Sequence, residues 1–191
     1  MKPEDNSEKD NAEKTEAAAR RLLPDETWVE AKDVKFTHKG KDYETPSDMR
    51  NIKVAQSKIM EKDELALAKE IRQAHILTQM GDCVYLLPKT KAETTGRFVS
   101  GPDALLNGEL YEFKTIEGKI RRVEKRFWDS REQSDNVYLR ISNPNLTKDE
   151  VLGTVNEVLN HKAYKGTTNG WLILTLDGTG KTYKISISSL K

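Results

Sequence analysis

From about residue 57 to the C-terminus the chain switches repeatedly between two periodicities, and that switching limits what it can fold into. Residues 60–82, MEKDELALAKEIRQAHILTQMGD, read as a helix. Leu67, Ala68, Ile71 and Ala74 share one face, and Gly81 supplies the stop. CVYLLP is a short apolar run of buried-strand type, and KTKAETTGRFVSG reads as a loop. PDALL and ELYEFKTI flank Asn107-Gly108, the pair favoured by two-residue hairpin turns. KIRRVEKRFWDSREQ carries an Ile120, Val123 and Phe127 stripe, and NVYLRIS follows as a strand. LTKDEVLGTVNEVLNH opens with a capping box, Thr147 and Glu150, with Leu146 placed to pack on Val151. WLILTL, the turn DGTGK and TYKISIS close the chain as a hairpin. The order is helix, strand, hairpin, helix, strand, helix, hairpin, which predicts an α/β fold with a mixed sheet flanked by helices.

The front of the chain reads differently. Residues 1–24 alternate acids and bases with almost no apolar residue, too little to offset the entropy of ordering them. They are expected to form a disordered or partly helical tail ended by Pro24. Residues 25–56 read as a small β-containing lead-in with a hairpin turn at HKGK, and residues 57–191 as the main domain. MKPEDNSEKD lacks the apolar stretch of a secretory signal, and no run reaches the roughly 20 apolar residues of a membrane span. The single cysteine, Cys83, makes no internal disulfide and fits a reducing cytosol. A net charge of +1 gives no global nucleic-acid signal, so any basic footprint is local.

The hairpin strand carries the unusual charges. In a strand Glu112 and Lys114 point one way, Tyr111 and Phe113 the other. The turn is expected to bring Asp103 into the same neighbourhood. Two close carboxylates call for a cation, and Mg2+ or Mn2+ with oxygen ligands and waters is the natural one. Lys114 is suited to orient a water or to offset developing charge.

Pro102-Asp103 followed by Glu112-Phe113-Lys114 resembles the PD-(D/E)xK nuclease superfamily. The stretches GDCVYLLPK, GPDALLNGELYEFKTIEGK and EQSDNVYLRIS narrow the likeness. They resemble the C-terminal tRNA-nuclease toxin domain of contact-dependent growth inhibition proteins, with related domains in phage head proteins and mobile elements. The resemblance covers about residues 60–190. It implies a restriction-endonuclease-like fold and metal-dependent cleavage of RNA, tRNA before DNA. It also implies a bacterial or phage-associated cytoplasmic setting, with delivery into a target cell and an immunity protein as candidate features. Asp103 and Glu112 would bind the metal. Glu64 would support it from the preceding helix, with Glu70 as the reserve. Gln133 would bond substrate or water, or else cap the end of the helix.

Lys119, Arg121, Arg122, Lys125 and Arg126 make the 119–131 helix the most basic in the chain, suited to hold an RNA backbone. Trp128 either stacks on an unpaired base or packs in the core. His38, His75 and His161 share no ligand spacing. Two rival classes remain: a nucleic-acid-binding module without catalysis, and a phage-head accessory domain.

Overall fold

The structure is a computed structural model and describes residues 3–91, 98–99 and 101–191. Two compact units divide the chain, Met1–Leu110 and Tyr111–Lys191, and both mix helices with strands. No helix among the described residues is long and apolar enough to cross a membrane.

The first unit contains α1 (Pro3–Leu22), β1 (Trp28–Glu30), β2 (Ile52–Ala55), α2 (Gln56–Met60), α3 (Glu64–Thr78), β3 (Val84–Leu86), the short β4 (Thr90–Lys91) and β5 (Phe98–Val99), and β6 (Ala104–Leu106). β1 pairs antiparallel with β2, β2 parallel with β3, and β3 antiparallel with β6. Side chains alternate along β3. Cys83, Tyr85 and Leu87 pack with Leu105, Ala18 and Ala19 on one face, which leaves Val84 and Leu86 for the other. α3 lies against β2 and β3 and buries Leu67, Ala68, Ile71, Ala74 and Leu77.

Three expectations change here. Residues 3–22 form a helix lying on β3 and β6 rather than a tail. Its packing stripe is too small to show as hydrophobicity: Thr15, Ala18 and Ala19 are buried, and their short side chains let the helix come close. Gly108 meets the same helix, since an added Cβ would sit 3.0 Å from the Lys14 carbonyl oxygen. Second, the boundary read at residue 56 falls between β2 and α2, inside one unit, and no strands form around HKGK. Third, the helix expected from residue 60 begins at Glu64. Lys62 breaks the chain with φ 59°, and the Asp63 carboxylate caps α3 by accepting from Ala66 N. Part of the loop expected over 89–101, residues 92–97 and 100, lies outside the described residues. Asn107 (φ 51°) and Gly108 (φ 85°) have the two positive φ values a type I′ turn requires. The Asn107 amide fixes that turn, donating to the Asp82 carboxylate and accepting from Cys83 N.

β7 (Glu109–Ile116) begins at the end of the first unit and supplies its remaining residues to the second. There it is followed by α4 (Arg121–Arg131), β8 (Asn136–Ile141), α5 (Lys148–Asn160), β9 (Trp171–Leu176) and β10 (Lys181–Ser186). β7 and β8 are parallel, as are β8 and β9, while β9 and β10 form an antiparallel hairpin. α4 and α5 are the crossovers. Val123, Phe127, Val151 and Val155 close over Ile116, Val137, Leu139, Ile141, Leu172 and Leu174. The opposite face carries Phe113 edge-on to Tyr138, whose hydroxyl meets Thr175. The capping box at Thr147 and Glu150 forms as expected.

Candidate active site

β7 places Glu112 opposite Val137 and Lys114 opposite Leu139. Parallel neighbours in register share a face, so both charges lie on the face that α4 and α5 cover. Glu112 is fully buried, and the Lys114 ammonium, one-fifth exposed, donates to its Oε1. A carboxylate taken wholly out of water costs several kcal/mol unless a partner offsets it, on the order of the penalty for any buried ion. Here the partner comes from two residues along the same strand, so the pair is built into one element.

In the first unit, Asp103 immediately precedes β6. Its carbonyl accepts from Leu87 N at 2.8 Å, which ties it to the end of β3. Asp103 lines a cavity of about 50 Å3 together with Lys58, Glu61, Asp63, Glu70 and Lys89. Lys58 is 8% exposed, and its ammonium sits 2.7 Å from Glu70 Oε2. Burial pulls its pKa down. The pull of Glu70, Asp103 and Glu61 outweighs that and holds the ammonium above its ordinary value.

Glu64 is engaged elsewhere. Its Oε1 accepts from Thr37 N and Oγ1 at 2.8 and 2.7 Å, and its Oε2 meets His38 N and Nδ1 at 2.9 and 2.6 Å. Those donors, the His38 and Thr37 amides first, lower its pKa to about 2. The helix acid beside Asp103 is therefore Glu70, one turn and a half further along α3. Sequence periodicity places Glu70 off the apolar stripe and cannot show that a lysine meets it. Lys58 itself carries no sequence signal, because QSKIMEKD reads as surface. The role of His38 is equally silent in the sequence; its ring stacks on Tyr43 at 5.3 Å.

Arg121, Arg122, Lys125 and Arg126 are exposed on α4. The first three border an open cleft of about 810 Å3 whose wall includes Lys119 and Trp128. Trp128 is half-buried, edge-on to His161 and Tyr164, each at 5.6 Å, so it both packs and faces the cleft. Gln133 follows α4. Its Oε1 is buried with no hydrogen-bond partner among the described residues.

Among the described residues no three His, Cys, Asp or Glu side chains converge as a protein cage for a metal would. Mg2+ does not need such a cage, since it keeps most of its waters and takes one or two carboxylates. A carboxylate such as that of Asp103, or that of Glu112, is the kind of hard oxygen donor that this ion or Mn2+ takes. No family model, no curated protein and no solved structure matches this chain.

Proposed function

We propose that this chain is a metal-dependent nuclease of the PD-(D/E)xK type, with a restriction-endonuclease-like fold, and that it hydrolyses RNA, tRNA before other substrates. The observation that carries the reading is Glu112: a fully buried carboxylate in an apolar strand, paired with Lys114 at the spacing of the motif. A strand does not need that pair for stability. A hydrophobic pair of similar volume is commonly as stable or more so.

In this reading Asp103 and Glu112 are each carboxylate ligands for Mg2+ or Mn2+, and the helix acid that supports Asp103 is Glu70, because the Glu64 carboxylate is spent on Thr37 and His38. The ion, when bound, supplies charge for the phosphoryl oxygens and a more acidic water. Lys114 donates to Glu112 Oε1 and holds that carboxyl turned along the strand. Its one-fifth exposure leaves the ammonium able to orient water. Arg121, Arg122 and Lys125 grip the backbone of an unpaired strand electrostatically. Gln133, with an unsatisfied oxygen, accepts a hydrogen bond from substrate or water.

The test is incubation of purified protein with total tRNA and, separately, plasmid DNA, with and without Mg2+. Cleavage of tRNA that needs Mg2+ and disappears in Asp103→Ala and Glu112→Gln is expected. Full cleavage by both variants would end the assignment. The cationic cleft along α4 favours one second reading, a nucleic-acid-binding module without catalysis. Retention of RNA by wild-type protein with no Mg2+-dependent product would select it.

A further inference from the structure

Lys58 has no place in the sequence motif, yet it is one of the few buried charges among the described residues. α2 is only five residues long and starts directly after β2, which sets the Lys58 stem beside the sheet. Its ammonium reaches Glu70 on α3 and is drawn by Asp103 before β6. Lys89, by contrast, stays at the rim. Its ammonium is 3.8 Å from Asp63, and its backbone N–H donates to Glu61. Four acidic and two basic residues thus line a cavity of about 50 Å3. At roughly 10–15 Å3 for each water, that space holds a few waters or one partly hydrated ion.

We infer that Lys58 is a built-in counter-cation for Glu70 and Asp103, which a divalent ion must displace before the proposed nuclease site is loaded. The inference rests on the metal-dependent reading above and deepens it. It makes Lys58 a positioning residue: it keeps two acids close together while the ion is absent, and it sets how tightly the ion is held. The physical reason is competition. An ammonium 2.7 Å from a carboxylate offsets the charge the ion would use, and two like cations in a low-dielectric pocket repel.

The experiment is Mn2+ titration of the full chain by electron paramagnetic resonance, with wild type, Lys58→Met, Lys58→Gln and Lys58→Arg. Mn2+ should bind at least tenfold more tightly to the Met and Gln variants than to wild type. Arg keeps the charge and should leave the affinity near wild type. Mn2+ should also raise thermal stability more in Lys58→Met than in wild type, because the ion then takes over a charge the variant lacks. A merely structural lysine would lower stability without tightening Mn2+. Should the variants fail to fold, reductive methylation of wild-type protein gives an independent reading: saturating Mn2+ should increase labelling of Lys58 as its ammonium leaves the pocket. Mn2+ binding by wild type with equal or weaker binding by Lys58→Met, or labelling that does not rise, overturns the inference and leaves the metal reading standing. Absence of Mn2+ binding in wild type and in every variant overturns both.

Discussion

Replacing Lys114 by Met keeps most of the stem packing and removes the ammonium that offsets Glu112. The fully buried carboxyl must then keep its charge in the interior or take up a proton. Protonation caps the cost. An ordinary glutamate titrates near pH 4.3, so neutralising it at pH 7 costs about 1.36 × 2.7, or about 3.7 kcal/mol. At pH 5 the same step costs about 1 kcal/mol. A raised folded-state pKa in the variant means its stability is fully present below about pH 4.3 and falls as pH rises, by about 1.4 kcal/mol per pH unit until the folded group itself ionises. Urea unfolding of wild type and Lys114→Met at pH 5, 6 and 7 measures this directly. The destabilisation should grow from about 1 toward at most about 3.7 kcal/mol, and Glu112→Gln combined with Lys114→Met should recover most of it. A loss that is flat across this range, or a double variant no better than the single one, refutes the claim that the pair is electrostatically coupled in the interior.

Three further outcomes follow from the same geometry. Ala19→Leu should overpack the contact of α1 with its sheet, costing about 1–3 kcal/mol. It should also speed labelling of Cys83 by a thiol reagent, because burial now pushes that thiol up to about 11. Glu64→Gln should raise amide exchange at Thr37 and His38. The difference from wild type should be full at pH 7 and fade as pH falls from about 4.5 toward about 2, since a carboxylate with a lowered pKa loses its contribution on protonation. Arg121, Arg122 and Lys125 changed together to Ala should cut the slope of log affinity for single-stranded RNA against log salt by about 2, at about 0.7 for each phosphate no longer neutralised. An unchanged slope would remove α4 from the interface.

Strong local signals carry the sequence reading where they exist. Asn107-Gly108 demands two positive φ values, Thr147 and Glu150 make a reciprocal cap, and strand alternation puts Glu112 with Lys114. What escapes is decided by tertiary packing. α1 buries Thr15, Ala18 and Ala19, and such short side chains add little to any hydrophobic periodicity. β2 passes straight into α2, where composition suggests a boundary. Glu64 and Glu70 lie six residues apart on one helix, and their fates diverge only because Thr37 and His38 meet one and Lys58 meets the other. No local pattern encodes partners 12 to 27 positions away.

The chain holds 63 acidic and basic residues, 31 of one kind and 32 of the other, and among the described residues three are buried: Lys58, Glu112 and Arg131. Arg131 has a structural account. Its three guanidinium nitrogens donate to the Tyr164 hydroxyl, to Thr167, and to the carbonyls of Asp135 and Asn169, so it fastens the 161–170 segment to the end of α4. A methionine could not make those bonds. Lys58 and Glu112 differ from it in kind of partner. Each is paired with a side chain of opposite charge, and each of those pairs replaces packing that apolar residues would supply at no electrostatic cost. Stability alone therefore explains Arg131 and leaves the two lysine–glutamate pairs unexplained. That asymmetry is the physical argument for placing chemistry at Glu112 and Lys114, and for asking Lys58 and Glu70 to answer to a metal ion.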